Sequence, residues 1–360
     1  MQEVRVNTWN ERAKASVVWR RFQYLALAVL LLLFFSLSVQ AETGKKEKVL
    51  FFPGGTNDDM VGLLLLKDMP DVQLKGVVVV NADTIADFAM QAHWKMAKAC
   101  GGHVVPLGLS KARGWNPFPY TYRQDPISFY SIPVLAREPA NPNWPPYPSG
   151  NDLAEQVLRQ ALEEGTQVTV LVTAPITALK QVLQAHPELK QAIDRIVFMA
   201  GAVDVPGNLD PQTIPKQIAN PKAEWNVFWD PMAVDWIFAN THMEIVLLPL
   251  DVTNKARVSD RFQSKLKKQQ SQYVSSRIAF QGYKPTLDEP YFRLWNSAAA
   301  CFIGGPEYFA QPQTVRLSVK TQGYMQGALQ RDASGREVKV VFDFADLSGF
   351  YDYFVSLLQY

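Results

Sequence analysis

The sequence predicts an α/β fold: one Rossmann-like domain with a mostly parallel sheet and helices on both faces. Apolar runs, such as Val77 to Val80 and the stretch Val168 to Val172 with its single Thr, are typical of strands that are buried on both faces. Segments with helical periodicity separate these runs, and such alternation of strands and helices is typical of parallel sheets. After Ala41 the chain shows no internal repeat and no break in composition, so we predict a single domain over residues 42–360.

The predicted elements follow one another in a regular order. The first strand, Val49 to Phe52, ends at a Pro-Gly-Gly turn, and Thr56 to Asp58 then supply caps for a helix through Leu66. Residues 114–150 are rich in Pro, Tyr, Trp and Asn and predict a long loop, a candidate lid. Residues 314–342 alternate as a hairpin does and predict added antiparallel strands. The other predicted elements are strands at 74–83, 103–109, 167–175, 194–200 and 243–253, and helices at 85–100, 152–164, 176–185 and 232–239.

The N-terminal segment predicts export. Arg20 and Arg21 precede a nearly uninterrupted apolar stretch from Tyr24 to Val39, and small residues lead up to Ala41. This pattern predicts a signal peptide over residues 1–41, with cleavage before Glu42 and a periplasmic or secreted product. The alternative is an uncleaved N-terminal anchor, which would hold the body at the outer face of a membrane, although sixteen apolar residues are short for a span.

Composition excludes two other classes of protein. The formal net charge is +2 and the body contains no long basic run, so no nucleic-acid partner is predicted. The two cysteines, Cys100 and Cys301, cannot make a disulfide scaffold. Both lie in apolar, helical contexts, which favours two buried free thiols over one disulfide.

Polar residues follow several of the predicted strands. Asp58 and Asp59 come after the first strand, at the start of a helix, where an isolated pair would by default be read as helix caps. Thr173 ends the strand at 167–175, and Asn208 lies in a turn after the strand at 194–200. Ligands of open α/β sheets bind at the carboxyl ends of the strands, so we expect these side chains to converge on one pocket.

A second pair of polar residues follows in the segment AEWNVFWDP. Glu224 and Asn226 are two positions apart, and an extended backbone would point both side chains to one side. Each of these signals is weak when it is taken singly. Their order along the chain is the informative feature.

This ordered set resembles the inosine-uridine-preferring nucleoside hydrolase family. The Asp-Asp turn, VTAPIT, the MAGA…GN…AEWN…DP block and LPLDVT carry the resemblance, which covers nearly all of the predicted domain. It implies a single α/β domain that hydrolyses the N-glycosidic bond of ribonucleosides with a tightly held calcium ion. Calcium prefers about six to eight oxygen ligands. By motif match, Asp59 and the Thr173 carbonyl resemble calcium ligands.

The same match assigns the sugar contacts. Asp58, Asn208, Glu224 and Asn226 resemble the family's ribose-binding residues. The implied partner is therefore a ribonucleoside or another riboside. The sequence does not decide the oligomeric state, and a homo-oligomer is compatible with it.

The sequence departs from the family pattern where the family places a base and an acid. The family's first motif has two aspartates before Pro-Gly. When this chain is aligned on Pro-Gly, Leu50 and Phe52 stand at those positions, and Phe52 takes the place of the general base. When it is aligned on Asp-Asp instead, Gly54 takes the place of the base. The loop is two residues longer. The late His-Asp-Pro motif is replaced by Trp295, Asn296 and Ser297, of which Asn296 keeps only a neutral oxygen for calcium. We therefore predict that calcium binds weakly or not at all.

Two functional hypotheses remain. The first is an exported enzyme that hydrolyses N-glycosyl bonds of ribonucleosides. The alternative is a non-catalytic relative, a pseudoenzyme, that binds a ribosyl or sugar-like ligand. Asp83 is a candidate replacement for the missing carboxylate, and His103 could serve as an acid only if it faces the site. The retained sugar-binding set argues against a pure scaffold, and the catalytic residues themselves are not assigned.

Overall fold

The computed structural model describes residues 46–359 except 81, 83–84, 102–104, 117–123, 211–213, 218 and 290–291. Residues 47–360 form one compact unit. The leader, Asp83 and His103 lie outside the described residues, so the predictions made for them stay predictions. In the part of the chain that the structure describes, no helix is both long and apolar enough to cross a membrane.

Nine strands of the described part of the chain form a single sheet. In order along the chain they are β1 (Glu47–Phe52), β2 (Val72–Val80), β3 (Leu107–Ser110), β4 (Val168–Val172), β5 (Ile193–Phe198), β6 (Glu244–Leu247), β7 (Gln313–Val319), β8 (Leu329–Arg331) and β9 (Arg336–Val340). Their order in the sheet is β3-β2-β1-β4-β5-β6-β9-β7-β8. The pairs from β3 to β9 are parallel, and β7 is antiparallel to both of its neighbours.

Helices connect the strands. They are α1 (Asn57–Asp68), α2 (Ala86–Ala99), α3 (Asp125–Tyr130), α4 (Pro133–Ala136), α5 (Gly150–Glu163), α6 (Thr177–Ala185), α7 (Trp225–Trp229), α8 (Pro231–Asn240), α9 (Leu250–Thr253), α10 (Asp260–Gln269), α11 (Val274–Tyr283), α12 (Trp295–Gly304) and α13 (Leu347–Leu357), with short 3₁₀ turns at Pro187–Ala192, Pro285–Asp288 and Pro306–Tyr308. The predicted fold, an α/β domain with a mostly parallel sheet, is confirmed.

The two faces of β1 belong to different cores. Val49 and Phe51 pack with α1 and α12, whereas Leu50 and Phe52 pack with α5 and α6 on the opposite face of the sheet. This alternation follows from the two-residue period of a strand. Phe52 is only 1% exposed. The residue at the expected base position is therefore part of the apolar core.

Backbone hydrogen bonds extend the parallel pairing just past the carboxyl ends of the strands. The Thr173 N–H donates to the Phe52 carbonyl at 3.0 Å, and the Met199 N–H donates to the Val172 carbonyl at 2.9 Å. Leu248 makes the corresponding bond to Phe198 at 2.9 Å. The segments that follow β1, β4, β5 and β6 are thus held side by side, and this edge positions the candidate site.

Most of the predicted elements agree with the structure to within a few residues. Two predictions were wrong. The stretch 114–150 is not one continuous loop, because it contains α3 and α4. The strand predicted over 243–253 ends at Leu247, and Leu250–Thr253 forms a helical turn after Pro249, which has no N–H to continue the strand pairing. Cys100 and Cys301 are both buried and free, as predicted.

Candidate functional site

Asp59 closes the turn between β1 and α1. Thr56 is the N-cap of α1, and its backbone N–H and hydroxyl each donate to Asp59 Oδ2 at 2.9 Å. The Thr173 hydroxyl donates to Asp59 Oδ1 at 2.5 Å, which ties the start of α1 to the end of β4. The sequence favours this arrangement because a Thr at the N-cap with an acidic residue three positions later forms a reciprocal capping box.

Asp58 anchors the start of α12. Its Oδ1 accepts from the Tyr283 and Ser297 hydroxyls at 2.6 Å each, and its Oδ2 accepts from the backbone N–H groups of Asn296 at 2.5 Å and Ser297 at 3.1 Å. A carboxylate offers about four lone-pair sites, so these four donors occupy them all. Asp58 is 1% exposed. In this structure it has no acceptor site left for a ribose hydroxyl, and its assignment to ribose binding stays a prediction.

A second group of polar side chains lies after β5. The Glu224 carboxylate caps α7 by accepting from the Asn226 and Val227 N–H groups at 2.9 and 3.3 Å, and it accepts from the Gly201 N–H at 2.9 Å. Asn226 Nδ2 donates to the Met199 carbonyl at 2.9 Å. The prediction that an extended backbone aligns Glu224 with Asn226 was wrong, because Asn226 lies in the first turn of α7.

Asn208 is held against α7 by a close approach of two chain segments. Its N–H donates to the Ala223 carbonyl at 3.0 Å, and its Oδ1 accepts from the Trp225 N–H at 3.1 Å. Gly207 permits this approach, since a Cβ there would lie 2.0 Å from the Ala223 carbonyl oxygen. The glycine of the Pro-Gly-Asn turn therefore positions Asn208.

The aspartate of the LPLDVT motif orders the loop after β5. Asp251 accepts from the Val203 and Asp204 N–H groups at 2.9 and 2.8 Å. These two hydrogen bonds hold the loop that follows Gly201. Gly201, at the start of this loop, donates its N–H to Glu224, so Asp251 orders a segment that borders the N-cap of α7.

Burial dominates the electrostatics of the site. It raises the pKa of Asp59 and that of Glu224 to about 7 each, against the lowering effect of their hydrogen bonds. Burial also raises the pKa of Asp58, despite hydrogen bonds from Ser297 and Tyr283 that lower it. Desolvation disfavours the charged form of a carboxyl group, which explains the common direction.

The structure thus brings the predicted residues together in two groups. Asp59, Thr173 and Asn296 meet around Thr56, because Asn296 Nδ2 donates to the Thr56 hydroxyl at 3.3 Å. Glu224, Asn226 and Asn208 form the other group. The groups follow neighbouring strands, β4 and β5, at the same edge of the sheet.

Trp295 begins α12, donates its indole N–H to Asn254 Oδ1 at 3.1 Å and packs on Phe292.

The donor set does not fit a calcium ion of the kind that the resemblance implies. Both Asp59 oxygens already accept protein hydrogen bonds, and Asn296 directs its amide N–H₂ toward Thr56. Among the described residues, no group of three or more His, Cys, Asp or Glu side chains could hold a metal ion. Calcium would need about six to eight oxygens. Weak calcium binding stays a prediction that a titration can test.

Sequence reasoning missed Asp125. This residue begins α3, which contacts α1 through the Asn57 amide and the Ser128 hydroxyl at 3.5 Å. The side chain of Asp125 is half-buried, and no described residue donates a hydrogen bond to it. Burial, then repulsion from Glu289 and Asp59, raises its pKa to about 7. The Asp-Pro pair, which is typical of a helix start, was the available signal.

Comparison with known proteins identifies the class to which this fold and site belong. The family model described as inosine-uridine preferring nucleoside hydrolase matches residues 53–352. The chain is 30% identical over 334 residues to the pyrimidine-specific ribonucleoside hydrolase RihA of Salmonella newport, which covers 87% of this chain and 98% of that relative. The chain belongs to the inosine-uridine preferring nucleoside hydrolase family.

Other relatives agree in fold. The inosine-uridine preferring nucleoside hydrolase from Bacillus anthracis superposes with a TM-score of 0.75 at 29% identity, over 87% of this chain and 99% of that one. The purine-preferring ribonucleoside hydrolase from Gardnerella vaginalis has a TM-score of 0.70 at 16% identity, which shows the fold alone. The match with RihA of Klebsiella pneumoniae, 26% identical, spans only 60% of that relative's length.

Proposed function

We propose that this protein hydrolyses the N-glycosidic bond of a ribonucleoside or a related riboside. The observation that carries the proposal is a pair of amide side chains fixed by hydrogen bonds: Asn226 donates to the Met199 carbonyl just after β5, and Asn208 accepts from the Trp225 N–H. Relatives that are named ribonucleoside hydrolases support it, because they match the chain across the segments that contain these residues.

The two amides are oriented to hold sugar hydroxyls. Asn226 Nδ2 donates to the Met199 carbonyl, and among the described residues its Oδ1 has no hydrogen-bond donor. Asn208 Oδ1 accepts from the Trp225 N–H, and among the described residues its Nδ2 has no acceptor. Both residues are half-buried. A vicinal diol has hydroxyls that both donate and accept, so it matches this pair of amides. Glu224 holds Asn226 in place by accepting its backbone N–H.

Hydrolysis requires a group that accepts the proton of the attacking water. In the proposed step the water oxygen bonds to the anomeric carbon, and the water proton moves to a carboxylate. The bond from the anomeric carbon to the base nitrogen breaks, its electron pair leaves with the base, and the base takes a proton from solvent. Asp125 is the candidate because α3 packs on α1, which carries Asp59, close enough for the two carboxyl groups to repel each other, and because its pKa is raised to about 7 by burial and then by Glu289 and Asp59. Phe52 cannot contribute, since it lies in the core.

The leaving base receives no proton from Trp295 in this proposal. The indole N–H is a hydrogen-bond donor only and already bonds Asn254. We therefore expect substrates whose leaving group needs no proton, such as a nitrophenyl riboside, to react faster than inosine or uridine.

One observation favours a second candidate function. Phe52 is buried in the core and Asn296 carries no charge, so the site lacks carboxylates where the resemblance places them. A non-catalytic relative that binds a ribosyl or sugar-like ligand through Asn208 and Asn226 would keep the amide pair and need no proton acceptor. Binding without turnover would establish it.

We further propose that the protein is exported through its leader, residues 1–41, and acts in the periplasm or outside the cell. The Arg-Arg pair and the apolar stretch before Ala41 support this proposal. N-terminal sequencing of the mature protein tests it. A terminus at Glu42 is expected, and an intact Met1 in the membrane fraction would indicate an anchor instead.

Chromatographic measurement of free base released from uridine and inosine tests the activity. The wild type should release base, and Asn226→Ala should raise KM at least about tenfold, because an oriented hydrogen bond to the sugar is lost. Asn240→Ala, a change at an exposed asparagine at the end of α8, is the matched control and should leave KM unchanged. Saturable ribose binding with no base release would favour the non-catalytic alternative.

A further inference from the structure

The short helix α3 packs against α11 at a glycine. Gly282 is the next-to-last residue of α11, and a Cβ added there would lie only 2.5 Å from Phe129 Cε2 and 3.0 Å from Phe129 Cδ2. Phe129 belongs to α3 and is fully buried, so its ring lacks free space into which it could turn. The absence of a side chain at position 282 therefore sets how closely α3 approaches α11.

The end of α11 is in turn fixed to the first turn of α1. Asn57 Nδ2 donates to the Gly282 carbonyl at 3.1 Å, and the Tyr283 hydroxyl donates to Asp58 Oδ1 at 2.6 Å. The Gly282 carbonyl lies in the last turn of α11, where carbonyl groups lack a partner within the helix, so Asn57 supplies the donor. These two bonds hold the end of α11 to the helix turn that carries Asp59.

Asp125 lies on the same face of α3 as Phe129. The two residues are four positions apart, and side chains at that spacing share one face of a helix. The end of α3 is also held by α2, because the Tyr130 ring lies 5.3 Å from the Phe88 ring and 3.6 Å from Lys95 Nζ. Since α3 has only six residues, a displacement at Phe129 would also move Asp125.

We propose that Gly282 and Asn57 are positioning residues that set the place of Asp125 beside the first turn of α1. This inference rests on the proposed function, in which Asp125 accepts the proton of the attacking water. A general base must lie within about 2.6–3.2 Å of the group whose proton it takes, and a misplacement of about 1 Å can slow a reaction a hundredfold. The amides proposed to hold the sugar lie in α7 and in the loop before it, so sugar binding does not depend on α3.

The release of base from uridine by Gly282→Ala tests the proposal. We expect kcat to fall about tenfold or more while KM changes by less than about twofold, because the base is displaced and the sugar contacts remain. Gly62→Ala is the matched control. Gly62 lies within α1, and its added Cβ would meet only Ala300 Cβ at 3.6 Å, an ordinary contact, so both constants should stay at their wild-type values.

A rescue variant shows whether the contact with Phe129 is the cause. Leucine lacks the Cε2 atom that the new Cβ would meet, so Gly282→Ala combined with Phe129→Leu should recover most of the lost kcat. In urea denaturation, which needs no turnover, the loss of stability in the double variant should be smaller than the sum of the two single losses. Additive losses, or a kcat that Phe129→Leu does not restore, would overturn the proposal.

Asn57→Leu tests the second positioning residue without adding an atom at position 282. Leucine has a similar volume, and Asn57 Oδ1 is buried without a hydrogen-bond partner, so the change removes little besides the donor to Gly282. It should lower kcat several-fold and leave KM unchanged, even if Gly282→Ala fails to fold. A wild-type kcat in both variants, alongside a slow Asp125→Asn, would overturn the positioning role alone. Wild-type rates in Asp125→Asn would instead contradict the proposed base and, with it, this inference.

Discussion

Replacing Asp58 by alanine should destabilise the fold far more than it affects sugar binding. The carboxylate accepts four hydrogen bonds from Tyr283, Ser297 and Asn296, and all of these donors are buried or backbone groups at the start of α12. Each donor left without an acceptor costs about 1–3 kcal/mol, so the loss should reach at least about 4 kcal/mol. That is a large share of the roughly 5–15 kcal/mol that stabilises a typical domain.

Urea denaturation followed by tryptophan fluorescence measures this loss. Asp71→Ala, at an exposed aspartate just before β2, is the matched control and should change the free energy of unfolding by less than about 0.5 kcal/mol. Tyr283→Phe removes one of the four donors and should cost about 1 kcal/mol. A loss below about 1 kcal/mol for Asp58→Ala, together with a raised KM for nucleosides, would refute the structural role and restore Asp58 to the ribose-binding set.

Three further predictions follow from the site. The pKa of Glu224 is raised from 4.5 to about 7 in the folded protein, so folding takes up a proton between these pH values and the free energy of unfolding falls as the pH rises through them. In a series of unfolding measurements at different pH, Glu224→Gln should reduce this fall by about 3 kcal/mol. Gly207→Ala should raise KM for nucleosides, because the added Cβ would lie 2.0 Å from the Ala223 carbonyl oxygen and displace Asn208. An unchanged KM would show that Gly207 does not position Asn208 for the substrate. Millimolar calcium should leave the melting temperature unchanged, and a clear rise would reveal ligands outside the proposed set.

The sequence predicted the strands and the site edge well because both depend on local patterns. Val168 to Val172 is short, largely apolar and rich in β-branched residues, which predicts a buried strand, and Thr173 follows its carboxyl end. The cap at Thr56 was predictable from residue types alone. These local rules place side chains at the correct edge of the sheet without knowledge of their partners.

The roles of the side chains depended on long-range contacts, which no local pattern contains. Asp58 and Tyr283 are 225 positions apart, and nothing near either residue predicts their hydrogen bond. The side of the sheet that Phe52 faces depends on the pairing of β1 with both of its neighbours. The helical position of Asn226 was hidden because Glu224, Trp225 and Asn226 lie at the boundary of a five-residue helix.

Restoring a carboxylate at position 52 illustrates the difference. From sequence alone, Phe52→Asp looks like the repair of a lost base. In the structure that aspartate would lie among apolar side chains of the core around α5 and α6, where an unpaired charge is costly. We therefore expect the change to destabilise the fold and not to restore metal binding.

The pH dependence of kcat/KM for uridine, measured for the wild type and for Asp125→Asn, tests the central claim most directly. The account predicts that the wild-type value rises as the pH increases through about 7, because Asp125 must lose its proton before it can accept one from water. Asp125→Asn should lower kcat by about a hundredfold or more and lose this rise, while Asp288→Asn, at an exposed aspartate, should preserve both. Wild-type rates and an unchanged pH profile in Asp125→Asn would contradict the account.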